Sequence, residues 1–210
     1  MGPERIMVVC GGTIGMMLLM FLRRKLHPDV AAWKIPIISI LLTISGVAGA
    51  MLMHYIESGN FSGTSFFGAL LFIPIFMLPA LLLVRSFNTL MDLCAPAECL
   101  MLAFLKIDCL MSDCCIGKFL PALGFQFPSQ IVEMIVILII MVVLLRIERA
   151  PGRQGQLYSW YLILYGATRF PLNLFRYGVA PFVWILPAGN FWSLIAIAGG
   201  TTWLRLVRRK

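Results

Sequence analysis

The chain has 210 residues, of which 60% are hydrophobic and 12% are charged, and its mean hydropathy is +0.93. Soluble domains contain about 45–50% apolar and about 25% charged residues, so this composition excludes a water-soluble globular protein and a disordered chain. The formal net charge of +8 would suggest a nucleic-acid partner for a soluble protein, but in a membrane protein it reflects basic cytoplasmic loops. We therefore expect an integral membrane protein that binds no nucleic acid.

Long apolar stretches divide the chain into predicted membrane helices. A helix that crosses a membrane needs about 20 mostly apolar residues. Stretches that reach or nearly reach this length lie at 6–22, 35–56, 64–84, 88–105, 130–147, 157–175 and 182–204. The first is followed by no cleavage site of small residues, which favours a retained helix over a signal peptide. The sequence thus predicts an all-α fold of about seven transmembrane helices in a single bundle, with residues 1–210 forming one domain.

The distribution of basic residues distinguishes the two possible orientations. With the N-terminus outside, twelve of the 17 Lys and Arg residues fall on the cytoplasmic side, and the opposite orientation reverses this ratio. Because cytoplasmic loops carry the excess of Lys and Arg, we expect the N-terminus outside and the C-terminus inside. Five basic residues then remain on the outer side: Arg5, Lys106, Lys118, Arg169 and Arg176.

The segment Tyr165–Arg176 carries two of these outer arginines in or beside an apolar stretch. At 100° per residue, Tyr165, Arg169 and Arg176 fall within about 40° of one another on a helix. Pro171 lies between the arginines and can kink the helix there. Two guanidinium groups and a phenol on one face suit a lipid phosphate, because arginine binds phosphate with paired donors. The alternative is that the arginines anchor the helix by reaching lipid headgroups.

A second polar element begins at Pro128 and runs to Glu133. Pro128 followed by Ser129 predicts a helix start with Ser129 as the N-cap. Gln130 and Glu133 are three residues apart and therefore share a face of that helix. Glu133 either favours the positive end of the helix dipole or pairs with one of the outer arginines.

Acidic residues and cysteines form the remaining candidates. Asp92 and Glu98 are carboxylic acids in an otherwise apolar run. The cysteines show no metal-ligand spacing, and three of them are expected to be buried apolar residues: Cys10, Cys94 and Cys99. Cys109, Cys114 and Cys115 lie in a predicted outer loop, where a disulfide or a reactive thiol is possible. If a disulfide forms, Cys109 is expected at one end, because adjacent cysteines fit disulfide geometry poorly.

Taken in order, these elements resemble the prolipoprotein diacylglyceryl transferases. The matching segments are Gly49–Leu52, Gly63–Ala69, Asp92–Pro96, Leu105–Gly117, Pro128–Glu133, Tyr165–Arg176 and Ser193–Gly199. Each segment is weak evidence alone, but together they follow the order of the family over about residues 10–200. The resemblance implies a seven-helix, multi-pass enzyme of the bacterial inner membrane that uses no cofactor and no metal.

The activity implied by the resemblance is transfer of a diacylglyceryl group from phosphatidylglycerol to a cysteine thiol of a prolipoprotein, or another thiol acceptor. The implied catalytic residues are Arg169, Glu133 and Lys106. The implied substrate-binding residues are Tyr165, Arg176, Gln130, Asn173 and Phe67. In this mechanism the cations hold the phosphate and stabilise charge on the leaving group. Glu133 is the candidate base that generates the thiolate, which is the nucleophilic form of the acceptor.

The chain departs from the family pattern at several of these positions. Phe67 stands where a histidine or tyrosine is usual, Asn173 where a glutamate is usual, and Met51 where an arginine is usual. Lys106 replaces an arginine. The positive charge is kept, but the two parallel N–H donors of a guanidinium group are lost. These departures leave open an alternative, a non-catalytic phospholipid-binding relative with the same fold. A channel or transporter lacks support, because the two halves of the chain show no matched pair of interrupted helices.

Overall fold

The computed structural model describes residues 3–61, 63–112, 114, 116–121, 124–176, 181–183 and 185–209. These residues form seven α-helices. The helices are α1 (Pro3–Arg23), α2 (Lys34–Ser58), α3 (Phe66–Phe76), α4 (Phe87–Met111), α5 (Ser129–Glu148), α6 (Leu157–Leu174) and α7 (Ala188–Arg208). The predicted all-α class is therefore confirmed. Each of the seven predicted apolar stretches overlaps one α-helix, and the count of seven membrane-crossing helices stays a prediction.

Within the described residues, three helical segments are long and apolar enough to cross a membrane, at Arg5–Leu26, Lys34–Ser58 and Ser129–Glu148. The predicted stretch 64–84 is not one continuous α-helix, because α3 ends at Phe76 and a 3₁₀ helix follows at Leu78–Leu82. Pro79 explains the break: proline lacks the N–H that would bond to a carbonyl four residues earlier.

Two short antiparallel hairpins lie in the connections between helices, and the sequence did not predict them. β1 (Phe119–Leu120) pairs with β2 (Phe125–Gln126) between α4 and α5. β3 (Pro181–Val183) pairs with β4 (Leu186–Pro187) before α7. The predicted stretch 182–204 was therefore wrong at its beginning, where the chain forms the second hairpin and enters the helix only at Ala188. Pro187 directly before α7 fits this start, because proline has no N–H to donate within a helix.

The central element of the bundle is α4, which packs against α1, α5 and α6. Most of its residues between Leu90 and Ala103 are buried. Helix α2 packs mainly on α3, and α6 packs mainly on α7. Small residues permit both contacts: a Cβ added at Gly49 would lie 2.5 Å from the Gly68 carbonyl oxygen, and one at Gly166 would lie 2.7 Å from the Ser193 carbonyl oxygen. The glycines therefore let the helix backbones approach closely.

Arg23 joins three helices at one end of the bundle. Pro96 lies inside α4 and lacks the N–H that would bond to the Asp92 carbonyl, and Arg23 Nη2 donates to that carbonyl at 2.8 Å. Arg23 Nε also donates to Glu148 Oε2 at 2.8 Å, and His27 Nε2 lies 2.8 Å from Glu148 Oε1. We refer to Arg23, His27 and Glu148 as the Arg23 cluster. It fastens the end of α1 to α4 and to the end of α5.

Candidate functional site

Three buried charged residues from three helices meet near the N-terminal end of α5, at the other end of this helix from the Arg23 cluster. Lys106 comes from α4, Glu133 from α5 and Arg169 from α6, and they are 2%, 2% and 5% exposed. Glu133 Oε1 forms an ion pair with Arg169 Nη1, and Glu133 Oε2 forms one with Lys106 Nζ. We call these three residues the ion cluster. Of the two roles considered for Glu133, the structure places it in the ion pair.

Neighbouring side chains complete the surroundings of the ion cluster. Ser129 Oγ donates to Glu133 Oε1 at 3.2 Å. Ser129 is thus not the N-cap predicted from the sequence: it is the first residue of α5, Pro128 precedes it, and no side-chain cap bond forms. Its hydroxyl lies one helical turn from the carboxylate and bonds there instead. Lys106 Nζ lies 4.3 Å from the centre of the Phe66 ring, a distance suited to a cation–π contact.

The ion cluster carries two positive charges and one negative charge. Burial of charged groups is costly unless they are paired, and Glu133 pairs with both cations. Arg176 lies close enough to interact electrostatically with Glu133, which adds a further positive charge to this region. The net positive charge suits an anionic group such as a phosphate ester.

Tyr165 and Phe67 form an aromatic wall beside the ion cluster. Both residues are buried, and their rings meet edge to face with centroids 5.5 Å apart. Tyr165, Glu133 and Arg169 line a pocket of about 10 Å³, which is room for one water molecule. The structure therefore brings Tyr165 and Phe67 to the catalytic candidates, although the Phe67 ring has no proton to exchange.

Gln130 and Asn173 form hydrogen bonds outside the ion cluster. Gln130 Nε2 donates to the Cys114 carbonyl at 2.7 Å, which ties the start of α5 to the preceding connection. Asn173 Nδ2 donates to Asn190 Oδ1 at 2.5 Å, and Asn190 Nδ2 donates to the Phe170 carbonyl at 3.2 Å. Asn190 therefore joins α7 to the end of α6. It was missed from the sequence, although an amide in an apolar stretch was a usable signal.

Arg176 does not lie on the helix that carries Arg169. Helix α6 ends at Leu174, and Arg176 forms an isolated antiparallel bridge with Gly117. The predicted common helix face for Tyr165, Arg169 and Arg176 is therefore wrong for Arg176. Pro171 lies inside α6, four residues before its C-cap Phe175. Arg176 reaches the region of the ion cluster from the connection that follows α6.

A larger cavity of about 350 Å³ lies among the first four helices. Phe66 lines this cavity and also contacts Lys106 of the ion cluster. Arg5 and Asp108 line one end of it, where Arg5 Nε lies 3.5 Å from Asp108 Oδ2. This cavity was not predicted from the sequence, because its lining comes from four separate helices and from two of the connections between helices.

The predicted thiol group lies partly outside the described residues. Cys109 and Cys114 both line the larger cavity, and Cys115 lies outside the part of the chain that the structure describes. A disulfide with Cys109 at one end stays a prediction.

Apolar helices packed around buried paired charges define this chain as a multi-pass membrane protein. The profile of the prolipoprotein diacylglyceryl transferase family matches residues 5–206, and the chain belongs to that family. The chain is also similar to a phosphatidylglycerol–prolipoprotein diacylglyceryl transferase from Clostridium tetani (strain Massachusetts / E88), with 28% identity over 125 residues. This match covers 53% of the chain and 50% of the relative.

Proposed function

We propose that this protein is an enzyme that transfers a diacylglyceryl group from phosphatidylglycerol to a cysteine thiol of a prolipoprotein. The observation that carries the proposal is the ion cluster, in which Lys106 and Arg169 are buried together on either side of Glu133. Membership of the family supports the same conclusion. The proposal covers residues 1–210 as one domain.

The proposed enzyme spans the bacterial inner membrane with seven helices, its N-terminus outside and its C-terminus in the cytoplasm. Twelve of the 17 basic residues then lie on the cytoplasmic side, in agreement with the bias of cytoplasmic loops. The Arg23 cluster then faces the cytoplasm and the ion cluster faces outward. A tag at Lys210 should be inaccessible to a membrane-impermeant reagent in intact cells, and labelling from outside would contradict this orientation.

In the proposed reaction, the acceptor thiolate attacks the glycerol carbon that is bonded to the phosphate oxygen. A carbon–sulfur bond forms, the carbon–oxygen bond breaks, and glycerol phosphate leaves with the electron pair. Arg169 and Lys106 stabilise the charge that develops on this leaving group, and Arg176 adds to the positive field. Glu133 orients both cations and accepts the thiol proton as the leaving group takes up their charge.

A non-catalytic phospholipid-binding protein is the second candidate. Phe67 favours it, because an aromatic ring without an ionisable group is buried against Tyr165 beside the ion cluster. The paired amides Asn173 and Asn190 favour it too, since neither side chain carries a charge.

The test is transfer of labelled diacylglycerol from phosphatidylglycerol to a lipobox peptide by the purified chain. Arg169→Lys should remain folded and lower the rate by roughly a hundred- to a thousandfold, because it keeps the charge and loses the guanidinium fork. Lys118→Arg, a change of similar size in the connection after α4, is the matched control and should leave the rate unchanged. Phospholipid binding without transfer by the unaltered chain would favour the second candidate.

A further inference from the structure

Asn190 is a buried amide that the proposed reaction does not use. It lies in the first turn of α7 and is 1% exposed. Its Oδ1 accepts a hydrogen bond from Asn173 Nδ2 at 2.5 Å, and its Nδ2 donates to the Phe170 carbonyl at 3.2 Å. One side chain of α7 is therefore bonded to the last turns of α6 at two points.

The two points of attachment lie on either side of a proline. Pro171 lies inside α6 and lacks the N–H that would bond to the Ala167 carbonyl, so the helix is missing one of its own hydrogen bonds there. Helices bend at such interruptions. Phe170 directly precedes the proline, and Asn173 follows it by two residues. The Asn190 amide therefore bridges the proline and restricts bending of α6.

The same proline separates the two arginines of the candidate site. Arg169 lies before Pro171, in the ion cluster, and Arg176 lies after it, in the connection that follows α6. The Arg176 N–H donates to the Asn173 carbonyl at 3.3 Å, so the residue that bonds to Asn190 also holds the backbone of Arg176. A bend of α6 at Pro171 would change the separation of the two guanidinium groups, and Asn190 restricts that bend.

Gly189 leaves the space that this contact needs. A Cβ added at Gly189 would lie 2.9 Å from the side-chain amide atoms of Asn173. The Asn173 amide therefore packs directly on the backbone of α7, next to Asn190. Two adjacent residues of α7 thus fit the end of α6, one through its hydrogen bonds and the other because it has no side chain.

We propose that Asn190 is a positioning residue, which keeps Arg169 and Arg176 at the separation needed to bind one phosphate group between them. Each guanidinium group offers paired donors in a fixed plane, so both bind the same phosphate only when their donors converge on its oxygens. The inference rests on the proposed function for its substrate, phosphatidylglycerol. Its direct consequence is a preference for phosphatidylglycerol over diacylglycerol, which has the same acyl chains and no phosphate.

The test uses Asn190→Leu, which removes both hydrogen bonds and changes the side-chain size little. Phosphatidylglycerol and diacylglycerol each displace a fluorescent phosphatidylglycerol from the purified full chain in detergent micelles. The unaltered chain should prefer phosphatidylglycerol, and Asn190→Leu should reduce that preference about tenfold, because one guanidinium group no longer meets the phosphate. In the transfer assay, kcat per folded molecule should fall about ten- to a hundredfold, because a small displacement of a stabilising group is costly. No preference in the unaltered chain, or a preference unchanged by Asn190→Leu, overturns the proposal.

Two further variants separate positioning from general stability. Gly200→Ala places a Cβ 2.8 Å from the Ser159 carbonyl oxygen and so disturbs the same contact of α6 and α7, ten residues or about 15 Å along α7 from Asn190. It should lower stability and leave the preference unchanged. Pro171→Ala combined with Asn190→Leu restores the helical N–H and should recover most of the preference.

The outcomes distinguish the two proposals. An equal loss of the preference in Gly200→Ala, or no recovery in the double variant, overturns the positioning role. Full transfer by Asn190→Leu with its preference unchanged refutes the positioning role and leaves the proposed function standing. No transfer by the unaltered chain, with a preference that Asn190→Leu reduces, refutes the proposed function alone.

Discussion

Replacing Glu133 by Gln removes the one negative charge of the ion cluster and changes the side-chain volume little. Lys106 and Arg169, which are 2% and 5% exposed, then remain buried without their counter-ion. The amide oxygen of Gln accepts from one cation, and its NH₂ group faces the other unfavourably. The perturbation therefore separates the electrostatic role of Glu133 from its packing.

The expected loss of folding free energy in Glu133→Gln follows from the burial of these charges. Breaking a buried ion pair by removing one partner costs about 3–5 kcal/mol, because the other charge is left uncompensated. That range corresponds to a change of about a hundred- to a few thousandfold in the folding equilibrium. Transfer by the folded Glu133→Gln protein should also fall at least about a hundredfold, because Arg169 is no longer held in position.

Glu148→Gln is the matched control for both measurements. Glu148 lies at the other end of the same helix, where its carboxylate accepts from Arg23 and His27 and its side chain is 6% exposed, against 3% for Glu133. It is 15 residues from Glu133, or about 22 Å along the helix. Unfolding in mixed detergent micelles should show a similar loss of stability for both variants. Transfer per folded molecule should fall only for Glu133→Gln.

Two outcomes would refute this reasoning. Unchanged stability of Glu133→Gln would mean that the carboxylate does not compensate Lys106 and Arg169. An equal loss of transfer in Glu148→Gln would mean that the activity follows general stability of the bundle and not the geometry of the ion cluster.

Two further predictions concern packing and the departures from the family pattern. Gly68→Ala should destabilise the bundle by about 1–3 kcal/mol, because the added methyl group would overlap the backbone carbonyl of Gly49. Gly199→Ala, where a Cβ meets nothing within 4 Å, should cost no stability in the same unfolding assay. Phe67→His combined with Lys106→Arg should raise transfer above that of the unaltered chain, by supplying an ionisable ring and a paired donor fork. Unchanged or lower transfer would show that these two departures do not limit the reaction.

The sequence predicted the helices well because apolar length is a local property. Each of the seven apolar stretches overlaps a helix, and the family resemblance is confirmed by the match over residues 5–206. The predicted ends of the helices, which depend on backbone hydrogen bonding, were less accurate. The break after Phe76 follows from Pro79 and was readable from the sequence, whereas the hairpin before α7 was not.

The residues of the candidate site could be predicted from the sequence, but their contacts with one another could not. Glu133 was left between two roles, and the ion pairs with Arg169 and Lys106 depend on how α4, α5 and α6 pack. Arg176 was assigned to the wrong element, because the end of α6 is set by the contacts of the chain that follows it. Asn190 was overlooked for the same reason, since its partner lies on another helix.

The sequence by itself therefore determined the membrane class, the helices and the family, because composition, apolar length and the order of motifs are properties of the linear chain and need no tertiary contacts. The tertiary structure decided which buried charges neutralise one another. Arg23 illustrates the difference. Its residue type was evident, but its contacts arise because Pro96 on α4 leaves the Asp92 carbonyl without a helical partner and because the Glu148 carboxylate lies at the end of α5. Such contacts require three helices packed together, and no local pattern encodes them.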